Sequence, residues 1–159
     1  MKANIRNAIK NDSAAILGLI QELALYEKES KSVELTLSDI ENYGFEKIPL
    51  FECYVAEVDS KVVGMALFYS RFSTWKGPTF HLEDLIVSES YKGKGYGTQL
   101  YSTFIRHAYN AGAKRLDWNV LDWNTPAINF YEKSGASVLR DWDTVQMDRR
   151  SMKVYLVNH

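Results

Sequence analysis

The sequence predicts an α/β fold, a mixed and mostly antiparallel central sheet flanked by helices, forming a single domain over residues 1–159. Three observations carry this expectation. Segments of period-two alternation and segments with apolar spacings of three and four follow one another without repeats, low-complexity tracts or linkers. Their order places runs of strands beside helices rather than in strict βαβ alternation, which argues for a sheet with packed helices and against a doubly wound fold. Finally, 159 residues of which 46% are hydrophobic suffice for one core and are too few for two full domains.

The elements follow in order. Ala3 to Ile9 reads as a short first strand. Asp12 or Ser13 can cap a helix whose apolar stripe is Ile16, Leu19, Ile20, Leu23 and Ala24. Thr36-Leu37-Ser38-Asp39 resembles a capping box with Asp in place of Glu, opening a second helix that ends near Gly44. Phe51 to Val58 and Lys61 to Ser70 are β-rich and joined by Asp59-Ser60, the pattern of a hairpin. Thr79 to Val87 is a further strand. The helix from Gln99 to Asn110 sets Leu100, Phe104 and Ala108 in one row, with Tyr101 and Ile105 beside it. Arg115 to Leu121 alternates like a strand. Thr125 as cap, Pro126 in the first turn and Gly135 as stop bound a helix through Lys133. Ser137 to Leu139 and Thr144 to Asp148 are expected to close the sheet, followed by a weakly helical or irregular tail.

Composition narrows the function. A net charge of −1 gives no basic excess for nucleic acid, so no such partner is expected. The single Cys53 excludes an intrachain disulfide and, within a strand, reads as a buried inert thiol. Met1 to Lys10 lacks the apolar segment of a signal peptide, and no run reaches transmembrane length; a cytoplasmic protein without a membrane partner is expected. His81, His107 and His159 show no ligand spacing and no cysteine joins them, so no metal is expected. There is no Gly-x-Ser-x-Gly elbow.

The most informative run is Tyr91-Lys92-Gly93-Lys94-Gly95-Tyr96-Gly97-Thr98, between a strand and a helix. Glycines at alternate positions allow a tight turn that gathers N–H groups, and the following helix adds its unpaired first-turn donors and positive dipole end. Such a loop suits a phosphate or pyrophosphate. The Gly-Lys-Ser/Thr of a P-loop is absent, and the spacing differs from the dinucleotide fingerprint. A flexible surface turn is the alternative reading.

Two further segments could carry chemistry. Glu83 and Asp84 are adjacent carboxylates on a strand, so in a regular pleat they point to opposite faces and at least one meets a polar cavity or a partner. An edge strand or a local bulge would leave both wet. Trp123 to Ala136 holds Asn129-Phe130-Tyr131, where Tyr131 is either a core residue or a proton donor.

At these segments the chain resembles the GNAT superfamily of acetyl-CoA-dependent N-acyltransferases, whose phosphate loop reads Arg/Gln-x-x-Gly-x-Gly/Ala. Lys92-Gly93-Lys94-Gly95-Tyr96-Gly97 matches it with Lys for Arg. Within the superfamily it looks like the spermidine/spermine and thialysine acetyltransferase branch. The matching stretches are Leu23 to Glu27, Leu82 to Val87, the glycine loop, Trp123-Asn124 and Asn129 to Ala136. The resemblance implies a GNAT-like fold and acetyl transfer from acetyl-CoA to a primary amine of a small cationic acceptor, by direct attack in a ternary complex. It further implies that Leu85, Ile86 and Val87 hold the acetyl carbonyl and pantetheine arm through their backbone. Lys92, Gly93, Lys94, Gly95, Tyr96, Gly97 and Thr98 would hold the pyrophosphate, and Asn124, Pro126 and Ala127 would add cofactor contacts. Tyr131 would be the general acid, Glu83 the proton acceptor, and Tyr26, Glu27, Glu83 and Asp84 would line the amine pocket. A homodimer is implied as well. The chain departs from the polyamine enzymes in Lys28-Glu29-Ser30-Lys31-Ser32, where positive charges interrupt the acidic run, and in a short Val58 to Val62 loop. A diamine or a lysine-like amino acid is therefore as consistent with the sequence as spermidine. Acetylation of a protein lysine or N-terminus and a non-catalytic CoA-binding regulatory module are the alternatives.

Overall fold

A computed structural model describes residues 3–158, which form two compact units that divide between Asn119 and Val120. The first contains a five-stranded sheet in the order β1 (Asn4–Asn7), β2 (Glu52–Val58), β3 (Lys61–Ser73), β4 (Gly77–Val87) and β5 (Arg115–Asp117). Pairing is antiparallel from β1 to β4, and β5 runs parallel to β4. The mixed, mostly antiparallel α/β architecture expected from the sequence is the one observed. Asp59 and Ser60 turn β2 into β3 with φ of 49° and 61°, the left-handed pair that matches strand twist in a two-residue hairpin.

Alternation along the strands builds a core on each face. Cys53, Val55, Met65, Leu67 and Ile86 pack with Ile16 and Leu19 of α1 (Ser13–Tyr26) and Ile40 of α2 (Leu37–Phe45). Side chains one position out of step pack in a separate aromatic group. Tyr54 stacks on Phe68 at 5.8 Å, and Phe68 meets Phe80 at 5.9 Å and Phe104 of α3 (Tyr96–Asn110) at 4.9 Å. The expected α3 row Leu100, Phe104 and Ala108 is fully buried, worth about 1.5–3 kcal/mol for each large side chain.

Local signals hold with small shifts. Thr36 Oγ1 accepts from Asp39 N at 3.2 Å and Asp39 Oδ2 accepts from Thr36 N at 2.8 Å, completing the capping box. Asp12 does not cap α1 with its side chain; it accepts from Ile9 N at 2.8 Å and holds Arg6 at 2.7 Å instead. The helix after the glycine loop starts at Tyr96, three residues before the expected Gln99, so Gly95 becomes its cap.

Two irregularities prepare the site. Leu67 faces Asp84 and Phe68 faces Leu82, so Glu83 is the extra residue of a β-bulge. β5 pairs only with Thr79–His81 and ends at Asp117 rather than Leu121. Beyond His81, β4 has a strand neighbour on one side only among the described residues.

The second unit holds α4 (Thr125–Lys133) and α5 (Arg149–Asn158). Asn124, not Thr125, caps α4, its Oδ1 accepting from Ala127 N at 3.4 Å. The closing strands expected at Ser137 to Leu139 and Thr144 to Asp148 do not form: both segments are irregular, and Val145 is 94% exposed. Such short stretches have no standing without a ladder partner. The helical tail does form, with Asp148 Oδ1 accepting from Ser151 N at 2.7 Å.

Candidate active site

The glycine loop supplies one end of the site. Gly93 and Gly95 adopt φ of 76° and 79°, the left-handed region open to glycine, and the space where their Cβ atoms would stand is empty for 4 Å. Gly95 brings no side chain to cap α3, so the helix offers its first-turn N–H groups, from Tyr96, Gly97 and Thr98, to a ligand. The Tyr96 side chain is buried, leaving its backbone for this role. Lys92 Nζ pairs with Glu89 at 2.6 Å and stands 4.8 Å from the Tyr26 ring centre; Lys94 Nζ lies 5.0 Å from the Tyr91 ring centre. Glu22 of α1 accepts from Ser88 Oγ at 2.8 Å and Glu89 N at 2.9 Å, pinning that helix to the start of the loop. Leu85, Ile86 and Val87 lead into the loop along the open edge of β4. A cradle of N–H donors beside an unpaired strand edge fits a pyrophosphate with an amide-bearing arm.

The other end is an acidic cleft of about 420 Å³. Ile20, Val33, Leu35, Ile40, Phe51 and Leu67 supply apolar walls, Glu34, Glu83 and Asp84 supply carboxylates, and neither lysine nor arginine lines it. The bulge decides how β4 enters: Glu83 is exposed and Asp84 half-buried, and both reach the same cleft, contrary to the opposite-face reading of a regular pleat. Burial, then Glu83, then Glu27 push the Asp84 carboxyl up to about 7. Burial, with Glu29 adding to it, also raises Glu27. Tyr69 donates its hydroxyl to Glu83 Oε2 at 2.8 Å; desolvation and that bond push the phenol up to about 12, which keeps it a neutral donor. Cys53 is buried and its thiol is raised by desolvation, so it is no nucleophile.

The structure thus brings Glu83 and Asp84 into one cleft, sets Glu27 near enough to act on Asp84, and places Leu85 to Thr98 as one continuous donor edge and loop. Tyr26 is exposed at the end of α1, beneath Lys92. Asn124, Pro126, Ala127 and Tyr131 lie together on α4 of the second unit, where Tyr131 is half-buried and packs edge-on against Phe130 at 5.4 Å. Sequence reasoning missed Glu34, which sits between Val33 and Leu35 in a segment that forms neither helix nor strand, and missed the pairing of His81 with Asp117, which only the parallel β4–β5 register reveals. Among the described residues no group of three or more metal-ligating side chains occurs, and no helix is long and apolar enough to cross a membrane.

A donor edge for a phosphate-bearing ligand and an acidic cleft thus meet at one bulged strand. Comparison with known proteins agrees with this geometry. Residues 18–136 match the acetyltransferase (GNAT) family. A thialysine N-epsilon-acetyltransferase of Bos taurus is 36% identical over 160 residues, covering 94% of each chain. The human spermidine/spermine N(1)-acetyltransferase-like protein 1 is 32% identical over 93% of this chain and 23% of its own length. Among solved structures, an integron cassette protein from the mobile metagenome of V. cholerae superposes with a TM-score of 0.80 at 27% identity, over 98% of both chains.

Proposed function

The chain belongs to the acetyltransferase (GNAT) family and is an N-acetyltransferase, and from that premise we propose that its acceptor is the primary amine of a small cationic molecule that carries a second amino group. Short diamines or polyamines and amino acids of lysine or thialysine type satisfy that description. The observation that carries the reading is the acidic cleft: about 420 Å³, with Glu34, Glu83 and Asp84 and no basic lining residue. Its volume suits a small molecule rather than a folded protein surface.

The chemistry follows from charge. An amine of lysine type, with a pKa of about 10.4, arrives as ammonium and cannot attack a carbonyl until it loses a proton. Asp84, Glu27 and Glu34 hold the cation. A positive charge offsets the burial, and then the repulsion from Glu83 and Glu27, that raise Asp84, so amine binding and Asp84 ionisation reinforce each other. Glu83, at the bulge and fixed by the Tyr69 hydroxyl, takes the ammonium proton. Acetyl-CoA, when bound, supplies the activated acetyl group as a thioester. Gly93 to Thr98 with Lys92 would hold its pyrophosphate, Leu85 to Val87 its arm and carbonyl, and Asn124, Pro126 and Ala127 further parts. Tyr131 would protonate the departing thiolate. Attack is direct, and Cys53 takes no part. The same reading treats residues 1–159 as one acetyltransferase domain, cytoplasmic and homodimeric; the apolar residues exposed on α5, among them Val154, Leu156 and Val157, support self-association.

Free-thiol release from acetyl-CoA with putrescine, spermidine, spermine, thialysine, lysine and a peptide panel as separate acceptors tests this. Release with these small amines is expected. Release with peptides alone would assign the enzyme to protein acetylation, and tight acetyl-CoA binding without amine-dependent release would make it a regulatory module.

A further inference from the structure

Tyr69, His81 and Asp117 stand opposite one another on β3, β4 and β5. His81 is the last β4 residue paired with β5 and is only 7% exposed. Its Nδ1 lies 2.6 Å from Asp117 Oδ1. An ionised carboxylate only accepts, so in the neutral ring Nδ1 carries the proton and Nε2 keeps its lone pair. That lone pair faces Glu83 Oε2 at 3.6 Å, a separation that one side-chain adjustment of the 51%-exposed Glu83 closes. The remaining charged and titratable groups around the ring come from two strands. Arg71 Nη1 of β3 donates to Asp117 Oδ1 at 2.6 Å and stands 3.0 Å from His81 Nδ1. Arg115 Nη2 of β5 lies 3.4 Å from Asp117 Oδ2. The Tyr69 ring packs on the imidazole at 5.3 Å while its hydroxyl holds Glu83. A buried imidazole backed by a carboxylate, with its free nitrogen aimed at a second carboxylate of the acidic cleft, is the arrangement of a base acting behind a base.

We propose that His81, backed by Asp117, takes over the proton that Glu83 receives from the acceptor ammonium. The inference rests on the amine-acetylation reading above. In the transfer, the O–H bond at Glu83 Oε2 breaks and an N–H bond forms at His81 Nε2. Glu83 returns to carboxylate and His81 becomes imidazolium between two carboxylates, with no change of oxidation state. After product leaves, the proton goes back through Glu83 to water. Glu83 thereby stays anionic beside the substrate during acetyl transfer, and His81 acts through Glu83 without touching the substrate.

The test combines kinetics and spectroscopy. His81→Asn keeps an amide N–H where Nδ1–H bonds Asp117 and removes Nε2. At saturating acetyl-CoA and amine, wild-type kcat is expected to fall toward acid pH, since a proton already on Nε2 blocks the transfer from Glu83. His81→Asn should lose that acid limb, lower kcat at least about tenfold at pH 8, and leave the amine KM within about twofold, since the amine-binding carboxylates are intact. Asp117→Asn should lower kcat in the same direction by weakening the imidazole as a base. An unchanged acid limb and kcat in His81→Asn would overturn the inference. Nitrogen-15 NMR of the wild-type imidazole, recorded without donor or acceptor, should show the Nδ1–H tautomer; an Nε2–H ring overturns the inference even where thiol release is fast. Absence of thiol release with every amine would instead remove the acetylation reading, and the inference with it.

Discussion

Replacing Asp84 by asparagine should stabilise the fold while weakening the enzyme. In the native protein, burial and then the neighbouring Glu83 and Glu27 raise this carboxyl from 3.8 to about 7. The folded chain therefore binds the Asp84 proton more tightly than the unfolded chain does. The stability this gives is complete below about 3.8 and is lost as pH rises through about 7. A change of that size corresponds to about 4 kcal/mol between the two protonation states, which sets the upper limit for the strain the ionised group imposes at pH 8. Asparagine keeps the shape and never ionises. Urea unfolding of both proteins between pH 4 and pH 8 should give a difference near zero at the acid end, growing to roughly 2–4 kcal/mol in favour of Asp84→Asn at the alkaline end. The amine KM should rise at the same time, a trade of function for stability. Parallel stability curves across that pH range would refute the argument that the cleft holds Asp84 against its own charge.

The remaining predictions address the loop, the sheet and the second unit. Gly95→Ala should cost about 1–2 kcal/mol, because alanine is strained at the left-handed φ of 79°, and should raise the acetyl-CoA KM. Gly97→Ala should lose no stability in thermal unfolding, since the new Cβ meets Val87 Cγ2 at an ordinary 3.7 Å within a helix; equal losses at the two positions would contradict the assigned backbone. Thr79→Val should be neutral or stabilising by about 1 kcal/mol in chemical denaturation, because Thr79 Oγ1 is buried without a hydrogen-bond partner. Tyr131→Phe should lower kcat at least about tenfold under chemistry-limited conditions; unchanged turnover would remove the phenol from its assigned role.

Local chemistry was readable in the sequence wherever one residue type answers to one backbone need. Gly93 and Gly95 mark positive φ, Thr36 and Asp39 mark a helix start, and Asp59-Ser60 marks a hairpin. The donor loop is legible for this reason, and the Glu83-Asp84 pair because adjacent carboxylates on a strand are costly to bury. What stayed hidden depends on register and on distant chain. A bulge at Glu83 changes which way two carboxylates face, and no propensity signals it against the regular pleat. The partnership of His81 with Asp117 needs the parallel register between β4 and β5, 36 positions apart in sequence. Glu34 joins the cleft from a loop, although Val33-Glu34-Leu35-Thr36-Leu37 alternates like a strand. The expected strands at Ser137 to Leu139 and Thr144 to Asp148 failed in the opposite sense, since their β-rich pattern found no ladder.

The central claim, that Asp84, Glu27 and Glu34 select a second positive charge on the acceptor, is tested most directly by one ratio. With acetyl-CoA saturating, kcat/KM is measured for 1,4-diaminobutane and for butylamine, which share the reacting amine and differ in the distal cation. The dication should be preferred at least about tenfold, equivalent to about 1.4 kcal/mol in the transition state. Equal values for the two amines would contradict the account.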